Sequence, residues 1–263
     1  MRKHLTTLAG AALLLAFGFT SFPTGARATT VVVINNGLAT PNPANVIDAS
    51  NSFLSGQVFV QNVGCDATVQ IICPAPGAPT TVEIVDGGQG ADGVEVFESS
   101  TLIVSGGLVG FGSVLLRQSS TILISGGFLR EDINVQDSAS AFMSGGSIDN
   151  LFVFESGTAV VSGGTLRIGQ PVDAGILAVN EFATLTVRGS GFAVDGSLVP
   201  YGPLVATSGT LSGVLASGDL INNPFIRDAA TAQIVLALPE PTTALLLACG
   251  LVGLGAAHRR RVG

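Results

Sequence analysis

The sequence contains no tryptophan, one tyrosine, one lysine and two histidines in 263 residues, and only 11% of it is charged. Lys3 and His4 sit at one end and His258 at the other, so the long interior has neither residue type. Without histidine, the Ser–His and Cys–His arrangements that activate a nucleophile are excluded there. The interior bases are Arg117, Arg130, Arg167, Arg188 and Arg227, too dispersed for the clustered cations that a phosphate backbone requires, which argues against nucleic acid. The shortage of aromatics, with Tyr201 the single tyrosine, weakens a sugar-stacking platform. Cys65 and Cys73 have no histidine or second cysteine pair beside them and make a poor zinc site.

What the chain has in abundance is a repeat. From Val94 to Gly191 it reads VEVFESSTLIVSGG, VLLRQSSTILISGG, INVQDSASAFMSGG, LFVFESGTAVVSGG and LAVNEFATLTVRGSG. Anchored on Ser105, Ser125, Ser144, Ser162 and Arg188, the spacings are 20, 19, 18 and 26, within the range of a solenoid. Columns that the anchor does not use test the alignment. Eleven before it stand Val94, Val114, Ile133, Leu151 and Leu177, and nine before it Val96, Leu116, Val135, Val153 and Val179. The columns three before, one before and four after begin with Leu102, Val104 and Val109. All 25 cells are apolar, whereas a 47% apolar composition would fill about half of them. Columns two residues apart are the inward positions of strands, because side chains alternate faces. Each repeat therefore carries at least two short strands and a candidate third. Strands this short gain stability by pairing with their copies in the next coil and burying the columns as one core.

The predicted fold is all-β: a short single-stranded parallel β-helix (β-solenoid) of about five regular coils, with irregular caps at both ends. Paired glycines such as Gly106-Gly107 and Gly126-Gly127 mark its sharp turns. A sandwich of antiparallel hairpins satisfies the same turn spacing; the in-register columns favour the solenoid.

Both ends read as processed. Arg2, Lys3 and His4 precede the apolar run Leu8 to Phe19, and Ala26-Arg27-Ala28 supplies small residues where a signal peptidase reads, predicting cleavage after Ala28. At the other end, Pro239-Glu240-Pro241 precedes an apolar run from Ala244 to Ala257 and then Arg259-Arg260-Arg261. Those 14 apolar residues fall short of the roughly 20 that span a bilayer comfortably, and the arginines would hold the segment's end in the cytoplasm. Residues 29–238 then hold five basic and 17 acidic side chains, a net charge of about −12. The triplet, apolar segment and Arg cluster, in that order, resemble the PEP-CTERM sorting signal of exported bacterial proteins. The resemblance implies processing near Pro239 to Pro241 by an exosortase-type membrane peptidase. It also implies a precursor held transiently in the inner membrane by a short transmembrane helix, a mature protein at the surface or in the extracellular matrix, and an association with exopolysaccharide and biofilm. GTLSGVLASGDLINNPF resembles the closing rung and C-terminal cap of other β-helical proteins that carry this signal.

The expected organisation is a signal peptide (1–28), an N-terminal cap with a first degenerate coil (29–93), the β-helix repeats (94–192), C-terminal coils and a cap (193–238), and the sorting signal (239–263). In the cap, Cys65 and Cys73 read as a disulfide, the usual state of a cysteine pair in an exported protein. Within Thr80 to Gly93, Glu83 falls in an inward column, so either the register shifts or the rung lies at the edge. The longer connection around GQPVDAG is a tolerated insertion or a binding loop.

Three polar or outward columns are candidates for function. Seven before the anchor stand Glu98, Gln118, Asp137, Glu155 and Glu181. The successive carboxylates Asp137, Glu155 and Glu181 are oxygen ligands of the kind Ca²⁺ takes; the plainer reading is a solvated corner that keeps the rod soluble. Arg130, Asp149 and Arg167 form a small charge ladder. Ile103, Leu123, Phe142, Val160 and Thr186 form a stripe that faces outward unless a bulge shifts it. With no catalytic set and no cofactor assigned, the reading is a non-enzymatic surface or matrix structural protein. The alternatives are a β-helical polysaccharide lyase or hydrolase that uses the acidic ladder, and a glycan-binding adhesin without turnover.

Overall fold

A computed structural model describes residues 31–239 apart from 41, 43–44, 53–55, 66–76, 91–92, 111, 169–172 and 229–230. Among the described residues there are 23 strands and no helix. They stack as a parallel β-helix, and the repeat runs at right angles to the strands.

One coil shows the plan. Gly93–Val96 lies on a first face, the chain turns at Glu98 and Ser99, Thr101–Val104 lies on a second face, and after the glycine turn Leu108–Val109 makes a short third side. Each first-face strand pairs in parallel with its copy in the next coil, from Val31–Ile34 through Gln57–Val60, Gly93–Val96, Val114–Leu116, Ile133–Val135, Leu151–Val153 and Leu177–Val179 to Phe225, Ile226 and Arg227. The second face stacks likewise from Val46–Ile47 through Thr81–Ile84 and on to Gln233–Ala237. Among the described residues the stack thus has eight rungs, which span about 34 Å at the spacing of paired strands.

The core is the set of columns expected from the repeat. All 25 cells are buried, with Val94, Leu116, Ile122, Val161 and Leu185 among those at 0% exposure. At the corner between the first two faces runs a further buried column of small residues: Thr80, Ser100, Ser120, Ala139, Gly157, Ala183 and Ala232. Their size lets the chain turn against its neighbour. A Cβ on Gly157 would stand 2.9 Å from the Val135 carbonyl oxygen.

The stack extends past the regular repeats in both directions. The entry segment does more than cover an edge, since its strands form rungs 1 and 2 in register with the rest. In rung 2 the register shifts by one: Val82 and Ile84 take the inward places opposite Leu102 and Val104, and Glu83 points outward opposite Ile103. In rung 7, as in rungs 5 and 6, a single strand spans the glycine position, here Thr184–Val194. It folds back at Asp195-Gly196 into a two-residue hairpin with Ser197–Leu198, the Asp-Gly pair favoured where both turn residues need positive φ. Ser208–Leu215 and Leu220–Arg227 then form an antiparallel hairpin whose far end becomes rung 8. The buried amide of Asn223 fastens this insertion by donating to the carbonyls of Leu166 (3.1 Å) and Gly175 (2.8 Å). Gly202–Pro203 pairs antiparallel with Gln233–Ala237 and covers part of the last edge, which limits edge-to-edge association.

Candidate functional site

The acidic column occupies the corner between the first two faces, and its backbone explains its composition. Glu98, Gln118, Asp137, Glu155 and Glu181 all have left-handed backbones, with φ between 53° and 58°. Such a conformation costs a non-glycine residue of order 1–3 kcal/mol unless its surroundings hold it in place. Here the side chains do so. The Gln118 side-chain oxygen accepts from the Glu98 N–H (2.6 Å), Asp137 from the Gln118 N–H (2.7 Å), and Glu155 from the Asp137 N–H (2.6 Å). At the head of the series Glu98 accepts from the Asn62 N–H (3.3 Å). Glu98, Gln118, Asp137 and Glu155 thus each reach back one rung and tie those corners together. Backbone bonds run alongside, as from the Ser138 N–H to the Gln118 carbonyl (2.9 Å).

An amide in one rung and carboxylates in the next do the same job, so acceptor geometry and not charge is the shared property. Asp137 and Glu155 each spend a carboxylate oxygen on a backbone N–H, while Asp137, Glu155 and Glu181 are all exposed. Among the described residues no group of three or more His, Cys, Asp and Glu side chains is placed to hold a metal ion. Glu98 differs from its relatives because it is buried, 9% exposed. Burial pushes its carboxyl above the ordinary glutamate value, and the hydrogen bond from Asn62 opposes that rise.

The remaining predicted positions fall in several places. Cys65 is buried and disulfide-bonded; Cys73 lies outside the described residues. Arg130, Asp149 and Arg167 follow Leu129, Ile148 and Leu166, which are in register, so the charge column exists with Asp149 buried between two exposed arginines. The stripe on the second face points outward, and Leu123 (39%) and Phe142 (44%) are its most exposed members. GQPVDAG is described only from Asp173, where Asp173–Ala174 pairs antiparallel with Arg167 and Ile168. Pro239 is exposed. Ala26, Ala28, Glu240, Pro241, Arg259, Arg260 and Arg261 lie outside the described residues, as does the apolar run from Ala244 to Ala257. Among the described residues no helix is long and apolar enough to cross a membrane.

The outer side of the first face holds a feature that the repeat does not announce. A cleft of about 440 Å³ opens there, lined by Gln57, Glu95, Ser113, Leu115, Asn134 and Gln136 from rungs 2 to 5. Among the described residues its one carboxyl is Glu95, which is half-buried; desolvation pushes it above the ordinary glutamate value against the pull of the Arg117 charge. The sequence signal for the cleft is slight: Gly93 and Gly112 where neighbouring rungs carry larger residues. Compared with known proteins, the chain matches no family model, no curated protein and no solved structure.

Proposed function

We propose that the chain is an exported, non-enzymatic structural protein of the cell surface or extracellular matrix. In this reading an exosortase-type membrane peptidase releases it from an inner-membrane precursor near Pro239-Glu240-Pro241, and the mature rod associates with exopolysaccharide. The observation that carries the reading is where the rod stops. Rung 8 ends its register at Ala237, and Leu238 and Pro239 follow at once as exposed residues, so the paired strands stop just before the triplet and its first residue is accessible. A processing enzyme then meets an accessible segment while the rod remains intact. The acidic corner serves as an internal tie in this account, which leaves the outer faces to meet the matrix.

Cell fractionation with mass spectrometry of the protein's ends tests the reading. The expected product lies in the surface or matrix fraction, begins after Ala28 and ends near Pro239 to Pro241. Full-length protein in the cytoplasm, with both ends retained, contradicts it.

A further inference from the structure

The outward positions of the first face run Phe59, Glu95, Leu115, Asn134 and Phe152 on successive rungs, in register. The cleft occupies the middle of this row. Gly93 lines it without a side chain, and a Cβ there would crowd the Ser113 carbonyl oxygen at 3.3 Å. One rung beyond its far end, Phe152 and Phe154 stack with centroids 6.1 Å apart, both half-buried. At the near end the buried Phe59 and Phe97 stack at 6.0 Å. A polar trough therefore runs along the rod axis between two aromatic pairs.

The lining chemistry narrows the ligand. The amides of Gln57, Asn134 and Gln136 each offer both donors and an acceptor, and the Ser113 hydroxyl does the same. Hydroxyl groups are the matching partner, since they too donate and accept. Leu115 supplies an apolar patch at the centre for a C–H face. An anionic polymer would meet Glu95 and a strongly acidic rod. A peptide adding as a strand needs an open sheet edge, whereas this trough lies on a sheet face. The rungs repeat at about 4.8 Å along the axis, close to the rise of one sugar unit in an extended chain. Hydrolysis of a glycan ordinarily takes two carboxyl groups flanking the bond, and among the described residues Glu95 is the one carboxyl lining the cleft.

We propose that this cleft binds a neutral glycan chain laid along the rod axis, without cleaving it. The proposal deepens the matrix reading by assigning its ligand class, and binding by purified protein is judged independently of where the cell sends it. Titration calorimetry on the full chain, with cellohexaose, laminarihexaose and maltohexaose as neutral probes and a galacturonic acid hexamer as the anionic one, tests it. At least one neutral hexasaccharide binds, and is recovered at its original length by mass spectrometry. Asn134→Ala weakens that binding about tenfold, as loss of one ligand hydrogen bond should. Gln57→Ala does the same from rung 2 and serves if the first variant fails to fold. Leu123→Ala, on the second face, leaves binding unchanged. No binding of any neutral probe, preference for the anionic one, shortened products, or equal losses from Leu123→Ala and the cleft variants would each overturn the proposal.

Discussion

At the scale of single residues, the corner column is the clearest case of sequence chosen for backbone reasons. Asp137 holds a left-handed φ of 53° while its carboxylate accepts the Gln118 N–H. Asparagine tolerates that conformation and keeps an acceptor, so Asp137→Asn should leave the melting temperature nearly unchanged. Valine is β-branched and has no acceptor, so Asp137→Val should cost about 1–3 kcal/mol, read from denaturant unfolding. The contrast separates a structural tie from a cation site, because a calcium ladder would lose from Asp137→Asn what a hydrogen-bond ladder keeps. Millimolar Ca²⁺ should accordingly leave wild-type melting unaltered. The acidic column itself was legible in the sequence, but its backbone was not. Glutamate carries little preference for positive φ, and only the stacking of five equivalent corners reveals the requirement.

At the scale of the coil, turns and columns divide the work. The second glycine of each pair sits at positive φ, and neighbouring coils press against it. At Gly127 φ is 76°, and a Cβ would run into the Gly106 carbonyl and lie 3.0 Å from the Val104 side chain. Gly127→Ala meets both penalties and should destabilise the rod by more than about 1 kcal/mol, measured by urea unfolding. Gly191 has φ of 65° but open space around it, so Gly191→Ala should cost less. Columns were readable wherever the period held, because alternation alone assigns Val94 and Val96 inward and Glu95 outward. It failed where the register slipped. Anchoring rung 2 on Asp86 puts Glu83 inside, whereas Val82 and Ile84 take those places. Rung 8 was harder to see because the Asp195–Asp219 excursion separates Val179 from its partner Arg227. The cleft was the least legible feature, since it is made by residues from four rungs that are remote in sequence and adjacent only after stacking.

At the scale of the whole molecule, an acidic rod should respond to pH in two separate windows. Glu95 and Glu98 have folded-state values raised above 4.5 by burial. The folded protein therefore holds their protons more tightly than the unfolded chain, and their contribution is full below 4.5 and lost as pH rises through the folded values. Asp48 and Asp219 are lowered below 3.8, chiefly by hydrogen bonds from Ser50 and Gly164 respectively. Their contribution is present above 3.8 and lost as pH falls through the folded values, and it is small because both are solvent-screened. The melting temperature should rise as pH drops from 7 toward about 4.5 and decline only under stronger acid. Glu98→Gln should flatten the upper limb; a steady fall in melting temperature from pH 7 downward would contradict the assignment.

One coil is an exchangeable unit, and stacking it is what builds the molecule. Val114 and Ile133 are equivalent positions in register, so excising 114–132 should join rung 3 to rung 5 with every core column continuous. The measurement is small-angle X-ray scattering on the excised protein, with circular dichroism to confirm β content. A cooperative β-protein whose long dimension is shorter by about one strand spacing, roughly 5 Å, is the predicted result. An unfolded chain, or a folded one of undiminished length, would contradict the account.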